Sequence, residues 1–145
     1  MAIEAMVDQW RRAFPGWVIQ TSGYLGIELK TFPIFPLVFD GWGADYPDPQ
    51  DFLSLLWTTH AAYNSSHISV PQVDSLLAQA DGMSDLAARI PLYQLAEQLL
   101  INEGAVIPLY QYLQNYAVRT RVADWRITST GVTPLSLWQS AYIKR

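Results

Sequence analysis

Three aspartates recur at every third residue of one short stretch: Asp45, Asp48 and Asp51. Carboxylates at this spacing could hold the cation of a ligand, form a catalytic pair or bind calcium. A calcium loop of the EF-hand type is disfavoured, because its ligand spacing and terminal Glu are absent. A glycosidase pair needs two carboxylates about 5–10 Å apart across a sugar, and sequence spacing does not establish that distance.

Two of these aspartates have a ready structural interpretation. The run Asp48-Pro49-Gln50-Asp51 is typical of a helix start. Asp48 can cap free backbone N–H groups, Pro49 fits the first helical position, and an acid such as Asp51 favours the positive end of the helix dipole. Asp45 precedes the cap and has no evident backbone task, so it is the better candidate for ligand chemistry.

The residues just before Asp45 indicate where a ligand could approach. The apolar run 35–39 predicts a strand, and Gly41-Trp42-Gly43 follows it. Glycine carries no Cβ, so a ligand backbone can come close to the chain there. Trp42 could stack on a ligand or fill the core, and its spacing favours the core. The stretch predicts a binding edge with one fixed negative charge.

Patterns typical of other chemistries are missing. The chain has no cysteine, which excludes disulfides, thiolate catalysis and cysteine-bound zinc. His60 and His67 stand seven residues apart in a polar loop and match no metal-ligand pattern. No nucleophile elbow, phosphate-binding loop, dinucleotide fingerprint or His-Glu-x-x-His pattern occurs. The sequence therefore predicts no catalytic residue, no metal and no cofactor.

Composition narrows the class of protein further. Charged residues make up 15 % of the 145 residues, against about 25 % in typical globular domains, while Trp and Tyr number six and eight. Such a chain has more apolar surface than it can bury alone, so we expect a partner or another part of a larger protein to cover some of it. A net charge of −4 argues against nucleic-acid binding. We also expect that this chain carries no signal peptide, because a basic region followed by an apolar one is missing at its start.

Local patterns predict an alternation of helices and strands, which is typical of an α/β layer domain. The predicted helices cover residues 2–14, 24–31, 49–57, 71–81 and 85–102. The last has Ser84 as its cap, and Pro91 should kink it or split off its first turn. The predicted strands cover residues 17–21, 35–39, 106–110 and 116–119. The stretch 135–142 is compatible with either a strand or a short helix.

With these patterns in view, the chain resembles a known family. The block from Gly41 to Pro49, which reads Gly-Trp-Gly-Ala-Asp-Tyr-Pro-Asp-Pro, is similar to the oligopeptide-binding proteins of ABC importers, the extracellular solute-binding proteins of family 5. Weaker similarities follow in the family's order along the chain: Asn64, Val73-Asp74, Arg89, Leu92-Tyr93, Ala96-Glu97 and the run from Ala105 to Tyr110.

The resemblance implies a fold and a location. Residues 1–145 would form a single domain, the C-terminal lobe of a type II periplasmic-binding-protein-like fold, in which helices flank a mixed sheet. The N-terminal lobe and the hinge of the family would be absent from this chain. The parent protein would act outside the cytoplasm, in the periplasm or at the cell surface.

The resemblance also implies roles for individual residues. Asp45 matches the carboxylate that receives the ammonium group of a peptide, and the strand at Gly41 and Gly43 would pair with the peptide backbone. Trp42 would shape the pocket. The implied partners are a peptide or another amine-bearing solute, the permease subunits of an ABC transporter and the missing lobe. A homodimer through the exposed interlobe face is a further expectation.

Two other classes of function remain open from the residues themselves. A carbohydrate-active enzyme domain would use Asp45 and Asp48 as a pair, and it predicts both carboxylates facing one cleft. A structural interaction module without a ligand site predicts that Asp45 forms a salt bridge with a nearby arginine. The position of Asp45 in the folded chain therefore separates the three hypotheses.

Overall fold

The computed structural model describes residues 2–23, 36–128, 130–131 and 135–144. The helix predicted at 24–31 and the first residue of the strand predicted at 35–39 lie outside these ranges. The chain divides into two compact units, residues 1–40 and residues 41–145. Among the described helices, none is both long and apolar enough to cross a membrane. The single domain predicted over residues 1–145 stays a prediction.

The first unit contains helix α1, Ala2–Ala13. Its charges suit the helix dipole, with Glu4 in the first turn and Arg11 and Arg12 in the last. Phe14 stacks on Trp17 just after the helix, with ring centroids 4.6 Å apart. The strand predicted at 17–21 is wrong: these residues form no regular structure, and no described segment pairs with their backbone.

The core of the second unit lies between two helices, α3 (Pro71–Asp81) and α4 (Leu86–Asn102). Each helix turns an apolar stripe, spaced three and four residues apart, towards the other. The buried residues of the stripes are Val73, Leu77 and Ala80 on α3 and Tyr93, Ala96 and Leu100 on α4. Both helices begin and end within two residues of the bounds predicted from the sequence.

The ends of α4 are set by one side chain and one glycine. The predicted cap, Ser84, is wrong by one residue, because the carboxylate of Asp85 accepts a hydrogen bond of 2.9 Å from the backbone N–H of Ala87. Gly104 ends the helix with a φ of +67°, a conformation that glycine adopts without strain. Pro91 lies inside the helix, which is one continuous element, so the predicted split of the first turn is wrong and the kink stays a prediction.

The helix predicted at 49–57 is divided into two short pieces. A 3₁₀ turn, Pro49–Asp51, comes first, and helix α2, Ser54–Trp57, follows it. The predicted cap is confirmed: the carboxylate of Asp48 accepts a hydrogen bond of 2.9 Å from the backbone N–H of Gln50. This capped turn joins the loop at residues 41–48 to the helices.

The sheet of the described chain is small and lies near the C-terminus. Strand β1, Val122–Ala123, pairs antiparallel with β2, Tyr142–Ile143, after helix α5 at Leu135–Ser140. The strands predicted at 106–110 and 116–119 are wrong, and so is the described part of the strand predicted at 35–39. These stretches have strand-forming side chains, but a strand needs a neighbour for its N–H and C=O groups, and none pairs with them among the described residues.

Candidate ligand-binding site

Asp45 combines an anchored backbone with an exposed side chain. Its backbone N–H donates a hydrogen bond of 3.1 Å to Oδ2 of Asp51, and the preceding residue, Ala44, is buried. Within the described part of the chain, the Asp45 carboxylate accepts no hydrogen bond and has no cationic partner within salt-bridge distance. The loop therefore holds a negative charge at the surface with its oxygens open to solvent.

Asp51 is fully buried and organises this loop. Its Oδ2 accepts two hydrogen bonds, one of 3.0 Å from Nε1 of Trp42 and the one from the Asp45 backbone. The sequence interpretation, which made Asp51 a charge at the helix dipole, misses this role. The one hint in the sequence was an acid directly before the apolar pair Phe52-Leu53, where a charge is costly unless it is hydrogen-bonded.

Trp42 is half-buried and held from two sides. Its indole N–H is bonded to Asp51, and its ring lies tilted against that of Tyr63, with centroids 4.8 Å apart and planes at 54°. A tryptophan in such a place can fill the protein interior with one part and face a ligand with the other. A ligand contact for Trp42 stays a prediction.

The loop that carries Tyr63 is fixed by a buried asparagine. Asn64 donates through Nδ2 to the carbonyl oxygens of Thr58 (3.1 Å) and Ile68 (2.7 Å), and its Oδ1 accepts from the N–H of Ile68 (3.0 Å). These bonds close the loop over residues 58–68 into one shape. Tyr63 therefore contacts Trp42 from a hydrogen-bonded turn.

Gly41 and Gly43 are exposed, and internal packing does not require either of them to be glycine. A Cβ built on Gly43 would meet no described atom within 4 Å, and one on Gly41 would meet Cε2 of Tyr112 at an ordinary 3.7 Å. Neither residue has a positive φ. The space beside Gly43 is open to an approaching molecule. The expectation that these glycines end a β-strand is wrong, because residues 36–44 are not paired in a sheet.

Asp48 is neutralised by an arginine from helix α4. Nη1 and Nη2 of Arg89 donate to its two carboxylate oxygens, at 2.9 and 3.1 Å. Arg89 also donates to the hydroxyl of Tyr93, which donates to Oδ1 of Asp81 at 2.7 Å. Burial, followed by the bond to Asp81, raises the pKa of Tyr93 to about 12. The network connects the capped turn to α4, and both carboxylate oxygens of Asp48 are used within the protein and not for binding a ligand.

This geometry bears on the two alternative classes of function. A carbohydrate-active pair requires Asp45 and Asp48 to face one cleft, whereas both oxygens of Asp48 are bound to Arg89. An interaction module requires Asp45 to meet an arginine, and no described arginine does so. Among the residues that the structure describes, no group of three or more His, Asp or Glu side chains could share a metal ion.

Known proteins similar to this chain are periplasmic binding proteins. The periplasmic oligopeptide-binding protein OppA of Escherichia coli is 34 % identical over 101 residues, 70 % of this chain. The periplasmic murein peptide-binding protein MppA of Escherichia coli is 34 % identical over 95 residues, 66 % of the chain. The probable deoxycholate-binding periplasmic protein YgiS of the same organism is 36 % identical over 112 residues, 73 % of the chain. No protein-family model matches the chain.

A solved structure extends the similarity to the fold. The unliganded open form of the murein tripeptide-binding protein MppA matches with a TM-score of 0.51 and 32 % identity, over 58 % of this chain and 16 % of that one. The fold is therefore that of a fragment of a type II periplasmic binding protein, as predicted. The mixed sheet predicted with it is wrong for the described residues, whose sheet is the antiparallel pair of β1 and β2. The chain spans about a fifth of the length of its relatives, 18 % of OppA and 20 % of YgiS.

Proposed function

This chain belongs to the family 5 extracellular solute-binding proteins of ABC importers as a homologous segment, and we propose that its Asp45 binds the ammonium group of a peptide. Two of the similar proteins are named for peptides and one for deoxycholate, so the residues of the site must decide the ligand class. An exposed carboxylate favours a cation. A peptide, or another solute with an amine, supplies one.

The observation that carries the proposal is the open carboxylate of Asp45 on an anchored backbone. The bond from its N–H to buried Asp51 holds the backbone from which the charged side chain extends, so little backbone conformational entropy is lost when a ligand binds. A hydrogen bond between an ammonium group and a carboxylate is worth about 1.5–3 kcal/mol. This is enough to distinguish a free amino terminus from a blocked one.

Backbone recognition at Gly43 would complete the contact. Its N–H and C=O groups have no hydrogen-bond partner among the described residues, and the space beside it is open. An extended peptide that pairs with these groups gains affinity without its side chains being read. In this proposal Gly41 belongs to the same stretch of contact, and Trp42 forms a wall of the site.

The wider role follows from the family. We assign the chain to the substrate-binding component of an ABC importer that acts outside the cytoplasm without catalysing a reaction. Its partners would be the permease subunits of the transporter and a second lobe that closes over the ligand. Alternatively, the exposed apolar face would be buried in a homodimer. Because half of the enclosing surface would come from that lobe, we expect this chain alone to bind weakly.

Nuclear magnetic resonance of the tryptophan indole N–H groups tests the proposal even at millimolar affinity. We expect trialanine to shift the Trp42 indole signal in a saturable way, with an affinity at least about tenfold higher than that of N-acetyl-trialanine. The Trp42 signal is assigned by its loss in Trp42→Phe. Equal affinities for the two peptides would contradict the role of Asp45.

A matched pair of charge removals provides the control. Asp45→Asn should abolish the preference for the free amine. Glu97→Gln removes the same charge from an exposed position on α4 and should leave the preference unchanged. If both variants lower it equally, the preference reflects net charge and not a site at Asp45.

A further inference from the structure

We infer that Asp51 is the positioning residue of the ammonium site, acting through the place it gives to Asp45 and not through its own charge. This inference rests on the proposed role of Asp45. The family resemblance assigned the site to the stretch 41–45, whereas the structure puts the hydrogen-bond acceptor that orders this stretch six residues beyond Asp45.

Two donors of the loop converge on a single buried oxygen. Nε1 of Trp42 and the backbone N–H of Asp45 both donate to Oδ2 of Asp51, at 3.0 and 3.1 Å. Asp51 is 0 % exposed, so water does not compete for this oxygen. One atom thus sets both the direction of the indole and the direction in which the Asp45 side chain leaves the backbone.

Asp51 is itself held by the helical core. It ends the 3₁₀ turn that Asp48 caps, and Arg89 of α4 fixes the carboxylate of Asp48. The position of the loop therefore derives from α4 through an unbroken series of bonded groups. The hydrogen bond from the Asp45 backbone N–H to Oδ2 of Asp51 connects Asp45 to this series.

The second oxygen of Asp51 favours geometry over charge as the contribution of this residue to the site. Oδ1 is buried and has no hydrogen-bond partner in the described chain. Burying that oxygen gains no interaction, and a buried charge is costly. An asparagine has nearly the same shape and offers one carbonyl oxygen at the place of Oδ2. We therefore expect Asp51→Asn to keep the site in order.

Two substitutions at position 51 separate geometry from charge. Asp51→Asn keeps the acceptor in place and removes the charge, while Asp51→Glu keeps the charge and moves the acceptor by one methylene. The measured quantity is the ratio of the affinities for trialanine and N-acetyl-trialanine, from the indole titration. We expect Asp51→Asn to retain the wild-type ratio within about threefold and Asp51→Glu to reduce it about tenfold.

The Trp42 indole signal of the free protein gives a second readout. We expect its chemical shift to stay close to that of the wild type in Asp51→Asn and to move upfield in Asp51→Glu, where the bond is lost or lengthened. Asp51→Leu, which has no acceptor, should resemble Asp51→Glu. If Asp51→Leu does not fold, the Asn and Glu variants still decide the question.

The outcomes distinguish the two claims. If the wild type shows no preference for the free amine, the proposed function fails, whatever the variants do. If the wild type shows the preference and Asp51→Glu keeps it with Asp51→Asn losing it, the charge of Asp51 acts directly and the positioning role is overturned. If both variants keep the preference, Asp51 does not position Asp45, and the inference is also overturned.

Discussion

The helices α3 and α4 and the stretch at residues 106–119 have similar apolar content and opposite structures. The helices bury Val73, Leu77 and Leu100 against each other almost completely. The stretch 106–119, called here the extended segment, forms no regular structure and leaves Leu113 88 % and Tyr112 71 % exposed. Hydrophobic side chains alone therefore do not order a segment of this chain.

The difference lies in where each element finds its partners. A helix satisfies its backbone within its own sequence, so α3 and α4 need only one apolar face each to pack. An extended segment needs a neighbouring strand for its N–H and C=O groups, and none of the described residues provides one. In the proposed parent protein, a second lobe would cover such a surface.

A matched pair of leucine substitutions should separate the two regions most strongly. Leu77→Ala removes a side chain that is 0 % exposed and should lower the free energy of unfolding by about 2–5 kcal/mol. Leu113→Ala removes one that is 88 % exposed and should change it by less than about 0.5 kcal/mol. Urea denaturation followed by circular dichroism measures both. Similar losses would show that Leu113 is packed in solution.

Alkaline pH should weaken the helical core through Tyr93. Its pKa is raised from 10.0 to about 12 in the folded chain, so between these values the unfolded chain loses the proton and the folded chain keeps it. The free energy of unfolding should therefore fall by roughly 1–3 kcal/mol from pH 10 to pH 12 and be unaffected by this group below pH 10.

Two phenylalanine variants isolate that effect. Tyr93→Phe should remove this part of the pH dependence, while Tyr112→Phe in the extended segment should retain it. Urea denaturation at pH 9, 10, 11 and 12 provides the curves. A Tyr93→Phe curve parallel to that of the wild type would show that the Tyr93 hydroxyl does not titrate differently on folding.

The salt bridge between Arg89 and Asp48 should contribute more to the free energy of unfolding than a salt bridge at the surface. Arg89→Met leaves Asp48 unpaired where the two side chains are only 14 % and 25 % exposed, and it should cost about 1–3 kcal/mol of unfolding free energy. Arg11→Met breaks a pair that is 49 % and 59 % exposed and should cost less than about 1 kcal/mol. The shifts in the denaturation midpoints of the two variants measure these costs. Equal losses of unfolding free energy would show that Arg89 does not stabilise the fold more than a surface salt bridge does.

The sequence predicted the features whose causes are local. The helix start at Asp48, the helices at 71–81 and 85–102 and the end of α4 at Gly104 follow from caps, prolines and periodic apolar faces within a few residues. The predicted strands fail for the opposite reason. The strand-forming side chains at 116–119 do not indicate whether a neighbouring strand is present to pair with them.

In the candidate site, too, the features with local causes are predictable from the sequence, and those that depend on distant contacts are not. The sequence indicates Asp45 because no local backbone task explains it, and the structure leaves its carboxylate exposed. The bond from Arg89 to Asp48 spans 41 residues, and the convergence of Trp42 and Asp45 on Asp51 depends on the path of a loop. Spacing along the chain does not specify such contacts, so the supporting residues appear only in the folded structure.

The most direct test of the account is a double-mutant cycle between Asp45 and the amino terminus of the ligand. The affinities of the wild type and Asp45→Asn for trialanine and its N-acetyl form give one coupling free energy. A direct ammonium–carboxylate contact predicts a coupling of about 1.5–3 kcal/mol. A coupling indistinguishable from zero, with all four complexes forming, would contradict peptide recognition through Asp45.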